Sequence, residues 1–508
     1  MKSDMKIAYF LDISKGLGGA GNVLLEQAKL MSMIYEVIVI IPCNVDGEIN
    51  PEYEQRCKKA HIRYRGMTYP TAYNIQNINL LAAKNVMIDI KAMAIEEEVN
   101  FFHSVQLNVG VELVSRELNI PHLMNIYFIK SEEFFLTFMD IFPRYHSSDS
   151  KLYCRLWAEK LGMKTRCIRP SAPISCMKKK EKKKGALRIL MLGGISERKN
   201  QMLAIQALEF CRINHVNVSL SIAGNDNSEY AGICKQYLRE HGLEDIVHIL
   251  GFQSDIVPLL ERHDCYLCTS VKESFPSSIV ESMTYDLTIL STPVDGVPEL
   301  LRDGINAYIS DGYQIEDVAN CIMKCFYAYQ DGSIKKIHKK AAILWSENFS
   351  GDVVRKQLNE YYQFILNDFY RSTRNKLKNR ISENDIKQIE IRLCNVGITA
   401  EDILSKCYYY ACLTKILKSG IAYIWGAGNY GKYAQKLIKI LFPEIKILAY
   451  IDQNKKLNYL GFPIILPEQI ELKKINYIFL GFVQGREKVI EYLEERGLVF
   501  NKDIWILP

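Results

Sequence analysis

The stretch Glu273-Ser-Phe-Pro-Ser-Ser-Ile-Val-Glu281 sets two carboxylates eight positions apart, between a strand and an amphipathic helix. The run before it, Cys265-Tyr-Leu-Cys-Thr269, reads as a buried strand with Asp264 at its mouth. Pro276 with Ser277 and Ser278 is a helix-start signature. Glu273 is thus expected on a loop and Glu281 in the first turns of a helix. Exposed amides and the positive end of the helix dipole favour a phosphate there, and a carboxylate on either side can accept from hydroxyls. A sugar nucleotide presents that pattern: ribose diol, diphosphate, sugar diol. Helix dipoles alone also favour acidic residues, so the surroundings of the pair must decide.

Those surroundings alternate strand and helix. Upstream, Lys6-Ile-Ala-Tyr-Phe-Leu-Asp12 reads as a first strand, followed by the turn Gly16-Leu-Gly-Gly-Ala-Gly21, a helix from about Asn22 to Met33 and a strand over Val37–Ile41. Alternation continues through Asn100-Phe-Phe-His103 and Ala158 to Ile168. It restarts with strands at Arg188–Leu192, Val218–Ile222, Val247–Leu250, Cys265–Cys268 and Thr288–Leu290. A long aromatic-rich helix is expected over Val353–Tyr370, and a last unit begins at Ile421. Repeated alternation predicts doubly wound parallel sheets. The reading is an α/β protein with domains at 1–175, 176–345 and 419–508, and a helical segment and linker over 346–418. Three units suit 508 residues, at roughly 100 to 200 residues per domain.

Composition is that of a globular protein, 48% hydrophobic and 24% charged. No apolar run approaches the roughly 18 to 20 residues that span a bilayer, and Met1–Lys6 has no signal-peptide core, so a cytoplasmic location is expected. The 14 cysteines fit reduced thiols. Cys265 and Cys268 form a CxxC inside a strand and without a second pair, and no metal site is expected from them. Residues 151–200 carry 15 Lys and Arg against Glu159, Glu181 and Glu197, a local net charge of +12 within an overall +6. The centre of that patch, Lys178–Lys184, reads as a solvated linker or as a contact with an anionic membrane surface, peripheral at its inner face. It lacks interleaved aromatics, so nucleic acid is not an expected partner.

Several loops repeat the theme of the glutamate pair. Gly18-Gly19-Ala20-Gly21 follows a first strand, where bare amides can approach a phosphate. Gly193-Gly194 closes the first strand of the second unit, and Glu197-Arg198-Lys199-Asn200 is read as opening the next helix. Cations at a helix start oppose its dipole, at about 0.3 to 1 kcal/mol each, which an anionic ligand would offset. Thr292-Pro-Val-Asp-Gly296-Val-Pro-Glu299 forms a further loop after a strand, with Gly296 expected to supply a turn conformation.

Taken in order, Gly-Gly-Ile-Ser-Glu-Arg-Lys-Asn200, Ile-Ala-Gly224, Gly251-Phe252, the Glu-x7-Glu pair and Gly-Val-Pro-Glu299 resemble the nucleotide-sugar glycosyltransferases of the GT-B fold, specifically retaining family 4. With Gly18-Gly19-Ala20 and Pro121-His122, the resemblance covers about residues 5–365. It implies two facing Rossmann-like domains, the first on the acceptor side and the second on the donor side. By position it implies Glu273 at the donor sugar, Glu281 at the ribose, Lys199 on the diphosphate and the amides of Ser277 and Ser278 on the distal phosphate. Phe275, Gly18, Gly19, Gly194, Gly224 and Gly296 would border the donor, and His103 would lie near the acceptor. The resemblance also implies a UDP- or GDP-linked donor, a saccharide or lipid-linked acceptor of surface polysaccharide assembly, and transfer with retention, the departing diphosphate acting as base. No DxD motif occurs, so no metal or other cofactor is expected. Where relatives often carry an arginine this chain has Gly194, leaving Arg198 to supply the second positive charge; Ser274 and Ser277 are expected to narrow the donor pocket.

Tyr423-Ile-Trp-Gly426-Ala-Gly428-Asn-Tyr-Gly431 has the GxGxxG spacing between a strand and a helix, with Asp452 ending the next strand. The unit resembles the small Rossmann-like domain appended to sugar acyltransferases. Oligomerisation, sugar-nucleotide binding and NAD binding remain alternatives for it, and no YxxxK pair is present to complete a dehydrogenase. For the whole chain, a UDP-sugar 2-epimerase of the same fold and an inactive sugar-nucleotide-binding partner subunit are the alternative readings.

Overall fold

A computed structural model describes residues 5–44, 46–69, 80–106, 108–127, 144–161, 164–172, 185–376, 383–395, 410, 413–414, 417–453, 458–482, 486–498 and 503–506. The basic run Lys178–Lys184 lies outside them. Three sheets organise the chain.

The first sheet holds β1 (Lys6–Phe10), β2 (Glu36–Pro42), β3 (Arg63–Met67), β4 (Phe101–Val105), β5 (His122–Asn125), β6 (Tyr145–Ser148) and β7 (Arg166–Cys167) in the order 3-2-1-4-5-6-7, all parallel. Around it run α1 (Gly19–Met31), α2 (Pro51–Lys59), α3 (Leu80–Glu96), α4 (Val109–Leu118) and α5 (Lys151–Leu161). β2 reads Glu-Val-Ile-Val-Ile-Ile-Pro, with every residue after the glutamate buried, as a strand covered on both faces must be.

The second sheet repeats the plan with β8 (Leu187–Leu192), β9 (Val218–Ala223), β10 (Val247–Gly251), β11 (Cys265–Cys268), β12 (Thr288–Ser291) and β13 (Tyr308–Ile309), ordered 10-9-8-11-12-13. Its helices are α6 (Gln201–Ile213), α7 (Glu229–Glu240), α8 (Val257–Arg262), α9 (Ser277–Met283), α10 (Ile315–Asp331) and α11 (Ile334–Asn348). In both sheets strand order reverses beside the first strand, between β1 and β4 and between β8 and β11. Crevices open at the C-terminal ends of strands at such points.

α12 (Gly351–Lys376) does not behave as a linker. Its Val354, Leu358, Tyr361, Tyr362 and Ile365 join the same core as Ile7, Tyr9, Leu24 and Phe101, so the chain leaves the second unit and returns to cover the first. Tyr362 Oη lies 2.7 Å from Tyr9 Oη at the centre of that contact. Each such buried side chain contributes about 1.5 to 3 kcal/mol.

After α13 (Glu383–Cys394), the third sheet comprises β14 (Gly420–Trp425), β15 (Ile445–Ile451), β16 (Asn458–Tyr459), β17 (Phe462–Ile465), β18 (Tyr477–Leu480) and β19 (Ile504–Ile506), with α14 (Asn429–Leu441) and α15 (Arg486–Glu494). Its order is 16-17-15-14-18-19, parallel except for the β16–β17 hairpin. No helix among the described residues is long and apolar enough to cross a membrane.

Element boundaries correct two sequence expectations. The glycine turn is shorter than expected because Gly19, Ala20 and Gly21 already form the first turn of α1. Arg198 and Lys199 precede α6 instead of opening it: residues 197–200 form a turn and Asn200, at φ 51°, is the N-cap of a helix beginning at Gln201. Their cost against the helix dipole therefore does not arise in the form expected.

Candidate active site

The C-terminal ends of β8 and β11 build one wall of a cleft. The turn before α6 is stapled to the loop after β11: Val271 N donates to Arg198 O at 3.0 Å, and Thr269 Oγ1 donates to Lys199 O at 3.0 Å and Asn200 O at 2.8 Å. That places Lys199 Nζ 2.6 Å from Glu273 Oε1, and Arg198 Nη1 bonds the same oxygen while also donating to Lys272 O at 3.1 Å. Glu273 is mostly buried, its side chain 13% exposed. Burial pushes its carboxyl up, but Lys199 and Arg198 together outweigh that and hold it below the usual glutamate range. One carboxylate thus occupies two cations.

The glycines near Lys199 differ in what keeps them small. A Cβ on Gly193, whose φ is +131°, would sit 3.2 Å from Lys199 Cε, and one on Gly224 would lie 2.0 Å from Gly193 O. Gly194 has no such neighbour; its nearest contact would be Asn225 O at 3.8 Å. Gly194→Ala should therefore leave thermal stability within about 0.5 kcal/mol of wild type, whereas Gly224→Ala should cost about 1 to 3 kcal/mol through forced backbone movement. Denaturant melts of the two variants check this; equal stability would mean that the two strand ends part freely.

Glu281 lies on α9, partly exposed. Burial is the main reason its carboxyl is raised above the usual range; Glu26 adds to the rise, and Arg56 and Lys199 oppose it. Glu26 and Arg56 belong to α1 and α2, so the first domain faces the glutamate across the cleft. Gly18 is the N-cap of α1, and its N–H points to Tyr53 Oη at 3.2 Å; Gly19 borders open space. Ser277 and Ser278 begin α9 with no side-chain cap, and Ser278 Oγ is 2.6 Å from Tyr266 Oη.

Three expected donor-lining or acceptor side chains, those of Ser274, Phe275 and His103, turn elsewhere, and Gly296 is required for another reason than expected. Ser274 Oγ reaches Asp149 and Ser150 of the first domain, the latter at 3.0 Å, so it does not narrow the donor pocket. Phe275 is a core side chain, 5.3 Å from the Phe349 ring with the Arg169 guanidinium 5.2 Å above it. Gly296, at φ −78°, does not supply an unusual turn conformation; crowding demands it, because a Cβ would meet Ser274 O at 2.0 Å and Ser150 Cβ at 2.6 Å. His103 is fully buried on β4, with Nδ1 2.6 Å from Tyr362 Oη and Nε2 2.9 Å from Asn125 Oδ1. Burial lowers its pKa to about 3, so it is a neutral core histidine and not a group facing an acceptor.

The sequence reading missed a cross-domain network. Asp295 Oδ2 accepts from Glu273 N at 2.9 Å and from Tyr153 Oη at 3.0 Å. Glu299 accepts from the N-terminal amides of α5, Lys151 N at 2.9 Å and Leu152 N at 2.7 Å, and pairs with Arg169 at 2.5 Å. No sequence signal pointed to it: Ser150 caps α5 through Tyr153 N at 3.1 Å, and the remaining first-turn amides find Glu299 only through the fold.

In the third sheet, Gly426, Gly428, Gly431 and Asp452 do converge on the β14–α14 turn. Asp452 Oδ2 accepts from Ala427 N at 2.8 Å. A Cβ on Gly431 would lie 1.9 Å from Gly426 O, and one on Gly426, at φ +107°, 2.7 Å from Gly481 O, so packing already requires both glycines, while Gly428 borders open space. Among the described residues no group of His, Cys, Asp or Glu is arranged to hold a metal.

Comparison with known proteins bears on this cleft. Residues 175–330 match the family model of the group 1 glycosyl transferases. The N-acetyl-alpha-D-glucosaminyl L-malate synthase of Bacillus anthracis is 26% identical over 157 residues, 31% of this chain and 40% of that protein. The amylovoran biosynthesis glycosyltransferase AmsK of Erwinia amylovora is 25% identical over 146 residues, 27% of this chain and 35% of that protein. The chain thus spans less than half the length of these curated relatives. Among solved structures, Anabaena HepE in complex with UDP-glucose superposes with a TM-score of 0.60 at 20% identity, covering 71% of this chain and 99% of that one. The first two sheets have the GT-B glycosyltransferase fold.

Proposed function

We propose that this chain is a glycosyltransferase that moves a sugar from a nucleoside diphosphate to a saccharide or lipid-linked saccharide, with retention and without a metal, in surface polysaccharide assembly. The observation that carries the reading is the bridging of Lys199 and Arg198 by Glu273 at the end of β11, with Glu281 one helix further on, inside the segment that matches the glycosyl transferase model. HepE binds UDP-glucose in the same fold, and AmsK serves amylovoran biosynthesis; both support a sugar nucleotide as donor and a polysaccharide setting.

The chemistry follows from charge. Departure of a nucleoside diphosphate develops negative charge on the distal phosphate, and preorganised cations are most effective where charge develops. Lys199 and Arg198 stand at that place, held by backbone bonds to the loop after β11, and released from Glu273 when the sugar hydroxyls take up that carboxylate. Glu281 holds the ribose diol. The acceptor hydroxyl attacks from the face the diphosphate leaves, and the diphosphate oxygen receives its proton, so the anomeric configuration is kept.

Incubation with UDP-, GDP- and ADP-sugars, read by mass spectrometry, should show slow hydrolysis of one donor by the wild type, unaffected by EDTA and lost in Glu281→Ala. Equal behaviour of wild type and Glu281→Ala toward every donor would overturn the proposal.

A further inference from the structure

α2 lies along the glycine turn of the first domain with one face. Asn50, its N-cap, donates through Nδ2 to Ile13 O at 3.1 Å and Gly16 O at 2.8 Å. Tyr53 meets the Gly18 amide at 3.2 Å, and Arg56 Nη1 donates to Asn22 Oδ1 at 3.1 Å. Steps of three put these residues on one stripe of the helix, running from the turn to the first turns of α1. The first two are buried and brace the backbone.

Arg56 differs from them. It is exposed, its bond is to a neutral amide, and it forms no ion pair among the described residues. It nevertheless lies close enough to Glu281 and Glu26 to favour the ionised form of both. On the opposite wall, Lys199 and Arg198 share Glu273. Until sugar hydroxyls take up that carboxylate, both donor-side cations are held by it, and the facing wall must supply any further charge. Arg56, held beside α1 by its bond to Asn22, is positioned to add a cation from the first domain, and its planar fork of donors suits two phosphate oxygens at once.

We propose that Arg56 is a donor-binding residue contributed by the first domain, its guanidinium meeting the diphosphate from the ribose side and tying the glycine turn to the bound nucleotide. This rests on the glycosyltransferase reading above. Such a contact would hold the ligand between the two domains.

The test is calorimetric titration of the full chain with UDP, GDP, ADP and the corresponding nucleosides, in wild type, Arg56→Ala and Arg56→Lys. Arg56→Ala should weaken the preferred diphosphate about tenfold or more, the scale of a charge-assisted hydrogen bond, and leave its nucleoside within about twofold. Arg56→Lys should recover part of the loss. A diphosphate affinity equal to wild type in Arg56→Ala overturns the proposal, as does equal loss for diphosphate and nucleoside, which would make Arg56 a brace of the turn. If wild type itself binds no nucleoside diphosphate, the glycosyltransferase reading falls, and this inference with it. Arg56 is exposed, and unchanged melting of both variants without ligand confirms that they fold.

Discussion

If the chain transfers a sugar as proposed, Lys199→Ala should lower kcat by about two to three orders of magnitude, as removal of one preorganised donor from an anionic transition state does elsewhere, and should also move the acid limb of activity. In the wild type the Glu273 carboxyl, raised by burial, is brought below the usual range by Lys199 first and Arg198 second. Its ionised form is then present across neutral and mildly acid pH. With Lys199 gone, burial is opposed by Arg198 alone, and Arg198 is half exposed at 53% of its side chain. The Glu273 pKa therefore rises, and activity that needs the carboxylate falls away at a higher pH. Stability follows the same sign. A depressed carboxyl contributes stability above its unfolded pKa and loses it as pH falls through the folded one, so the acid shoulder of the wild-type melting curve that belongs to Glu273 should be smaller in Lys199→Ala. A pH profile of donor hydrolysis from pH 4 to 8 checks the shift; an unmoved acid limb would mean that Glu273 and Lys199 are not a functional pair.

Glu281 has the opposite sign. Its raised carboxyl takes up a proton at higher pH than an ordinary glutamate, with burial the leading cause. In its proposed role as acceptor of ribose hydroxyls Glu281 works best ionised, so donor affinity in the wild type should fall on mild acidification before Glu273 itself is protonated.

Much of this was legible in the chain. The strand-turn-helix alternation placed β8, β9, β10, β11 and β12 to within a residue or so, because the central strands β8, β11 and β12 are largely apolar runs and the outer strands β9 and β10 alternate, each bounded by turn residues. Glu273, Lys199 and Arg198 were legible as a group because strand ends at the reversal of sheet order converge. Packing was not legible. Ser274 and Phe275 sit between the two glutamates in sequence, yet the hydroxyl of one turns to Asp149 and the ring of the other to Phe349. Neither direction can be read from spacing, since both depend on another domain and on the chain beyond residue 345. His103 shows the same limit: its partner Tyr362 lies 259 positions away, on a helix that returns to cover the first sheet. Glycines mislead in a related way. Gly296 suggests a turn that only glycine can make, whereas the positive φ, 34°, belongs to its neighbour Asp295 and the glycine serves a close approach to Ser150.

Glu299→Ala should be the most destabilising single change in the cleft region, at about 3 to 5 kcal/mol. Glu299 reaches from the second domain to satisfy two backbone amides at the start of α5 and to pair with Arg169, whose side chain is 6% exposed. Removing the carboxylate leaves an uncompensated buried guanidinium, which costs far more than the pair contributes when intact. Arg169 keeps one bond, from Nη1 to Asp149 O at 2.7 Å, and its contact over the Phe275 ring. Those hold it in place beside the gap, so it cannot relax to water without disturbing the loop that carries Glu273. Two controls separate the causes. Glu299→Gln keeps the shape and an acceptor oxygen and should recover part of the loss, while Glu299→Ala with Arg169→Met removes the stranded charge and should be more stable than Glu299→Ala alone. The pH dependence carries a further signature: burial raises the Glu299 carboxyl, but the amides of Leu152 and Lys151 and the Arg169 charge bring it below the usual range. Its stabilisation is complete above the ordinary glutamate pKa and fades as pH falls through the depressed one. Denaturant melts at pH 7 and pH 4 should therefore differ less in Glu299→Ala than in wild type, and a double variant no more stable than the single one would show that the Arg169 charge is hydrated and the two domains are joined by other contacts.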